Sequence, residues 1–256
     1  MGGDGRVAVV TGASAGIGVA IAGGLAAAGW RVAIGARRVE RLAEVASQIR
    51  DTGAAVFDHE LDVASPGSIA HFFDALEAEW GAPDAVVNNA GVSVPGLIEE
   101  ISPEELQREV MTNLLGPMWV SQRVIPAMRK AKRGDLVFIG SDNSDNPRPF
   151  QAGYSAAKAG IKNLVRVLAM ELEGAGVRVT NLRLGPTASE FGTGWDPDTM
   201  KRLLAVWQRF ALLRFTEFLD PKIVADAIVQ ILDTPRSAAL MSLELHPMAP
   251  HREEAP

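Results

Sequence analysis

The chain has 256 residues, 47% of them hydrophobic, with no cysteine, four histidines and a formal net charge of −6. Without cysteine there is no disulfide framework, thiolate metal site or cysteine nucleophile, and the histidines, at positions 59, 71, 246 and 251, lack a ligand-like spacing, so no metal is expected. The acidic balance argues against a nucleic-acid footprint, and no apolar run approaches the roughly 20 residues of a membrane span, which leaves a cytoplasmic protein acting on a small molecule.

Short Val-, Ala- and Ile-rich runs at 7–10, 31–34, 55–57, 85–87, 136–139, 177–181 and 239–243 alternate with stretches of helical period. Apolar runs without polar alternation belong to strands buried on both faces, hence to a parallel sheet between helices. The expected fold is α/β: a single-domain Rossmann-type three-layer sandwich whose doubly wound parallel sheet has about seven strands. Ser65-Pro66, Ser102-Pro103-Glu104-Glu105, Asp196-Pro197 and Asp220-Pro221 each pair a side-chain acceptor with proline in a first helical turn, and Glu105 can complete a capping box with Ser102. No linker or repeat divides residues 1–256. The rhythm breaks at about 186–219, where Phe191, Trp195, Trp207, Phe210, Phe215 and Phe218 collect; this insertion reads as an apolar lid over a substrate, against the plainer reading of a helix pair packed on the body.

Directly after the first strand stands Thr11-Gly12-Ala13-Ser14-Ala15-Gly16-Ile17-Gly18, followed by an Ala- and Leu-rich helix. Glycines let backbone approach a pyrophosphate, and the helix N-terminus offers it free N–H groups. Gly12, Ser14, Ala15, Gly16, Ile17 and Gly18 are therefore the first candidate dinucleotide contacts. The spacing G-x-x-x-G-x-G, with the ordered motifs below, resembles the short-chain dehydrogenase/reductase family in its single-domain branch, from Val7 to about Leu245.

The second strand ends in Ala36-Arg37-Arg38. NAD-preferring relatives place Asp at the position of Ala36, whereas Arg pairs with a 2′-phosphate, so the resemblance implies NADP(H), with Arg37 as first contact and Arg38 as support. It also implies that Asp62 and Val63 meet adenine and that Asn89, Ala90 and Gly91, in Asn88-Asn89-Ala90-Gly91, border the adenosine ribose.

Tyr154-Ser155-Ala156-Ala157-Lys158 places a phenol and an ammonium on one helical face, and a nearby cation favours phenolate, so Lys158 is expected to lower the pKa of Tyr154. The family resemblance makes these two residues catalytic and adds Ser141, at the family's interval before Tyr154, to hold the substrate oxygen. Ser144 is its nearby competitor. It adds Asn113, whose backbone helps hold a water leading to Lys158. Tyr154 and Lys158 would also contact the cofactor.

The sequence departs from the family after the sixth strand, in Leu184-Gly185-Pro186-Thr187-Ala188-Ser189. Gly185 and Thr187 are matched to the nicotinamide contacts, and Ser189 to the usual threonine hydroxyl. Asp142-Asn143-Ser144-Asp145-Asn146 reads first as a solvated turn of Asx caps and second as a polar pocket wall. The resemblance implies an NADP(H)-dependent ketone reductase or secondary-alcohol dehydrogenase with a mid-sized apolar or cyclic substrate, assembled as a homo-oligomer, tetramer or dimer. Competing readings are a catalytically silent NADP(H)-binding regulator or scaffold and, third, a sugar-nucleotide epimerase or dehydratase.

Overall fold

The apolar runs form β1 (Val7–Thr11), β2 (Arg31–Ala36), β3 (Val56–Glu60), β4 (Ala85–Asn88), β5 (Gly134–Ser141), β6 (Val177–Leu184) and β7 (Ser242–Leu245). All pair in parallel in one sheet of order β3-β2-β1-β4-β5-β6-β7, so the direction of winding reverses between β1 and β4. The computed structural model describes residues 5–213 and 217–248; Phe215 and His251 lie outside the described residues.

The helices are α1 (Gly16–Ala27), α2 (Val39–Asp51), α3 (Pro66–Trp80), α4 (Pro103–Val110), α5 (Gly116–Ala131), α6 (Ala152–Glu171), α7 (Pro197–Arg209) and α8 (Pro221–Asp233). Alternate strand residues feed two cores. Ala8 and Val10 face α1, α2 and α8, while Val7 and Val9 face α3, α5 and α6. The three-layer α/β sandwich is therefore as expected.

All four expected helix starts are capped by their own side chains: Ser65, Asp196 and Asp220 accept from backbone N–H groups, and Ser102 forms the full capping box with Glu105. The last strand differs from expectation. The run 239–243 predicted it, but β7 begins at Ser242 and is an edge strand with partly exposed residues, while Leu240 and Met241 before it are exposed. Apolar composition does not track strand boundaries where a strand is not buried on both faces.

Between α4 and α5 the helix widens into one π-helical turn, Met111–Leu115. Such turns mark functional sites more often than ordinary helix does.

Candidate active site

The C-terminal ends of β1, β4, β5 and β6 meet at one edge, astride the switch point where open α/β sheets bind ligands. At β1, the Thr11 hydroxyl accepts from the N–H groups of Asn89 and Ala90 at 3.0 and 3.1 Å. The Asn89 amide donates back to Thr11 O at 2.8 Å and Gly12 O at 3.3 Å. These bonds lock the glycine turn to the segment after β4. Gly12 has φ 69°, and a Cβ there would lie 2.7 Å from Ala90 Cα, so backbone conformation and contact both demand glycine. A Cβ on Gly18 would lie 2.4 Å from Gly12 O.

No side chain at Ala15 caps α1, so the first turn keeps backbone donors facing the loop of Ser14, Gly16 and Ile17. Arg38 Nε donates to Ser14 Oγ at 3.2 Å, bringing a guanidinium to the turn. Arg37 and Arg38 are both exposed, and Arg38, expected as support, is the one that bonds to the turn in this structure. Asp62 Oδ1 accepts from Ala64 N–H at 2.9 Å, and buried Val63 packs where a Cβ on Gly116 would come within 2.8 Å of its carbonyl oxygen.

Ser141 closes β5, buried. Its Oγ accepts from Asn143 N–H at 3.2 Å and donates to Asp142 Oδ1 at 3.3 Å. Tyr154 and Lys158 stand on successive turns of α6, with Lys158 Nζ 5.6 Å from the phenol ring centre and donating to Ile139 O of β5 at 2.7 Å. Asn113 is fully buried in the π-helical turn. It donates to Val92 O at 2.7 Å and accepts from Val92 N–H at 3.1 Å, which accounts for an asparagine inside a helix. Ser144 donates to Ser141 O at 2.8 Å and so is turned back toward the strand.

Burial governs the electrostatics. Desolvation pushes the Tyr154 phenol up to about 12, with the Asp142 and Glu109 carboxylates adding to the rise and the Ser141 hydroxyl and Arg148 opposing it. Desolvation also brings the Lys158 ammonium down to about 8. Lys158 directs Nζ to Ile139 O, and desolvation is the largest influence on the phenol.

The solvated reading of 142–146 is corrected at its start, where Asp142 and Asn143 are buried, and holds at Asp145 and Asn146, which are exposed. Asp142 is buried and held bidentately by Arg148 at 2.6 and 2.9 Å; Asn143 is buried and donates to Gln151 Oε1 at 2.9 Å; Asp145 pairs with Lys162 and with Arg183. Asp142 is thus a charged neighbour of Ser141 rather than a solvated cap.

The insertion lies over these groups. Phe191 packs its ring 5.3 Å from that of Tyr154, and Trp195 packs 6.1 Å from Phe191. Trp195 Nε1 donates to Ser93 O at 3.2 Å and Trp207 Nε1 to Pro149 O at 2.9 Å, while Arg148 sits over the Trp207 ring. The segment starts from a parallel bridge between Thr187 and Leu219, in which Pro186 O accepts from Leu219 N–H and Ala188 N–H donates to Leu219 O. That pattern leaves the Thr187 N–H and C=O on the other side of the chain. Thr187 Oγ1 donates to Gly185 O, Ser189 Oγ accepts from Phe191 N–H, and a Cβ on Gly185 would strike His246 at 2.5 Å.

One residue escaped the sequence reading. Glu109 is completely buried; it accepts from Val94 N–H at 2.9 Å through Oε1, and its Oε2 lies 2.2 Å from where a Cβ on Gly153, next to Tyr154, would stand. Burial holds its carboxyl above the usual range. Its signal was its place four residues before Asn113, on the same helical face.

The sequence profile of the family described as short chain dehydrogenase matches residues 6–199. The 3-oxoacyl-(acyl-carrier-protein) reductase FabG of Escherichia coli (strain K12) is 35% identical over 202 residues, 79% of this chain and 82% of the relative. The glycine betaine reductase ATRR of Emericella nidulans is 31% identical over 245 residues, 95% of this chain, which spans 19% of that protein. Among solved structures, an alcohol dehydrogenase from the archaeon Thermococcus sibiricus, complexed with 5-hydroxy-NADP, superposes with a TM-score of 0.82 at 31% identity, covering 97% of this chain and 99% of that one. With the profile matching well over half of its length and a solved relative following its topology end to end, the chain belongs to the short-chain dehydrogenase/reductase family of oxidoreductases.

Proposed function

We propose that this chain is an NADP(H)-dependent ketone reductase or secondary-alcohol dehydrogenase in which Tyr154 is the general acid and base. One observation carries the reading. Ser141, Tyr154 and Lys158 converge at the sheet edge that also bears the glycine turn, with the Phe191 ring packed against that of Tyr154.

The turn suits a dinucleotide: backbone approaches closely at Gly12 and Gly18, the start of α1 keeps free donors, and Arg38 beside the Ser14 hydroxyl matches an additional phosphate. The Thermococcus sibiricus relative, bound to a derivative of NADP, supports the same choice. Gly12, Ser14, Ala15, Gly16, Ile17 and Gly18 would hold the diphosphate, and Arg38 with Arg37 the 2′-phosphate. Asp62, Val63, Asn89, Ala90 and Gly91 would border the adenosine, and Gly185 and Thr187 the nicotinamide end.

When bound, the cofactor supplies or accepts the hydride. Ser141 holds the substrate oxygen, and Tyr154, kept protonated by its buried setting, gives its proton to that oxygen as negative charge develops. In the opposite direction the phenol oxygen receives the proton of the alcohol. Lys158 and Asn113 support the proton path, the first from α6, where its Nζ donates to Ile139 O of β5, and the second by fixing the Val92 segment. Phe191, Trp195 and Trp207 favour a mid-sized apolar or cyclic substrate.

The test is NADPH and NADH consumption with a panel of cyclic and aromatic ketones. NADPH turnover at a kcat/KM at least about tenfold above that with NADH is expected, equivalent to about 1.4 kcal/mol. Binding without turnover across the panel would support a silent NADP(H)-binding regulator instead. We also read the chain as a homodimer or homotetramer, since Val167 and Met170 on α6 are exposed apolar residues that a second copy could cover; sedimentation measures this directly.

A further inference from the structure

Three consecutive residues after β6 span the whole site. Ser189 packs on the phosphate turn, its Cβ 3.1 Å from where a Cβ on Gly16 would stand. Glu190 Oε2 accepts from Arg38 Nη1 at 3.0 Å, while the same guanidinium uses Nε on Ser14 Oγ at 3.2 Å. Phe191 lies on the Tyr154 ring.

Arg38 is the guanidinium that the proposed function assigns to the 2′-phosphate, and in this structure its outward donor is taken by a carboxylate of the protein itself. A guanidinium is a planar fork with a fixed set of donors, so a phosphate arriving at the same edge must displace the carboxylate or stand beside it as a like charge. Both side chains are about half exposed, so the pair is weak enough to be displaced. A dinucleotide without the 2′-phosphate gains nothing from that displacement.

From this we infer that Glu190 is a cofactor-specificity residue. It competes with the 2′-phosphate for Arg38, moderates the preference for NADP(H), and links cofactor entry to the segment covering Tyr154. The inference rests on the NADP(H) reading above and adds to it a residue that opposes that preference.

The experiment is calorimetric titration of the full chain with NADP⁺ and with NAD⁺, in the parent, Glu190→Gln, Arg38→Ala and the double variant. Glu190→Gln is expected to tighten NADP⁺ about two- to fivefold, the range released by a surface ion pair, and to leave NAD⁺ unchanged. In the Arg38→Ala background the same change is expected to have no further effect, because the competition needs the guanidinium.

An unchanged or weaker NADP⁺ affinity in Glu190→Gln overturns the inference, as does an equal change for both cofactors. If Arg38→Ala abolishes a real preference for NADP⁺ while Glu190→Gln is silent, the role of Glu190 fails and the cofactor reading stands. If the parent binds NAD⁺ as tightly as NADP⁺ and Arg38→Ala changes neither, both fail together.

Discussion

Replacing Lys158 by methionine separates what the site does for chemistry from what it costs the fold. Burial brings the ammonium from 10.5 to about 8, so the folded state binds its proton less well than the unfolded chain does. The sign follows: between about 8 and 10.5 the unfolded state holds more protons, and stability rises with pH in that window. Below it the full penalty applies. At about 1.4 kcal/mol per unit, that penalty is about 3 kcal/mol at pH 7 and about 2 kcal/mol at pH 9. Methionine removes the titration but leaves Ile139 O without its 2.7 Å donor, a loss of about 1–3 kcal/mol that does not change with pH. The net difference at one pH is therefore a balance of two terms, whereas its pH dependence isolates the buried charge. Urea unfolding followed by tryptophan fluorescence at pH 7, 8 and 9 is the assay. The advantage of Lys158→Met over the parent should shrink by about 1 kcal/mol from pH 7 to pH 9. Parallel curves for the two proteins across that range would refute the reasoning.

Three further outcomes follow from the contacts around the site. Glu109→Gln keeps an acceptor for Val94 N–H but removes a carboxylate that opposes phenolate, so the Tyr154 titration and the acid limb of alcohol oxidation should both move to lower pH. Tyr154 is the only tyrosine of the chain, so ultraviolet absorbance reads that titration directly, and unmoved midpoints would remove Glu109 from the electrostatics. Asn113→Ala strands both backbone groups of Val92 and should lower unfolding free energy by about 2–3 kcal/mol in urea titration; a loss below about 0.5 kcal/mol would contradict the clamp. Phe191→Ala removes the ring beside Tyr154; an aromatic contact from that ring to a bound aromatic ketone is worth about 1 kcal/mol, so KM for such ketones should rise about fivefold with little change in kcat, and an unchanged KM would mean the segment does not touch substrate.

The fold was legible because both periodicities are strong in this sequence. Strands buried on two faces appear as unbroken apolar runs, and four helices announce themselves with an acceptor followed by proline. The end of the sheet was not, since β7 is exposed and its neighbours Leu240 and Met241 carry the apolar signal outside it. At the site, Asn113, Ser141, Tyr154 and Lys158 were named from motif order, and the structure brings Ser141 and Lys158 to Tyr154. What sequence could not give was direction. Lys158 points its ammonium at Ile139 O, Asp142 turns inward to Arg148, and Glu190 crosses to Arg38, each decided by burial and partners remote in sequence.

The central claim is that Tyr154 transfers the proton in an NADP(H)-dependent reaction. It is tested most directly by Tyr154→Phe, with NADPH affinity and ketone reduction measured on the same preparation. NADPH binding is expected to be unchanged and kcat to fall by about 100-fold or more. Turnover equal to that of the parent would contradict it.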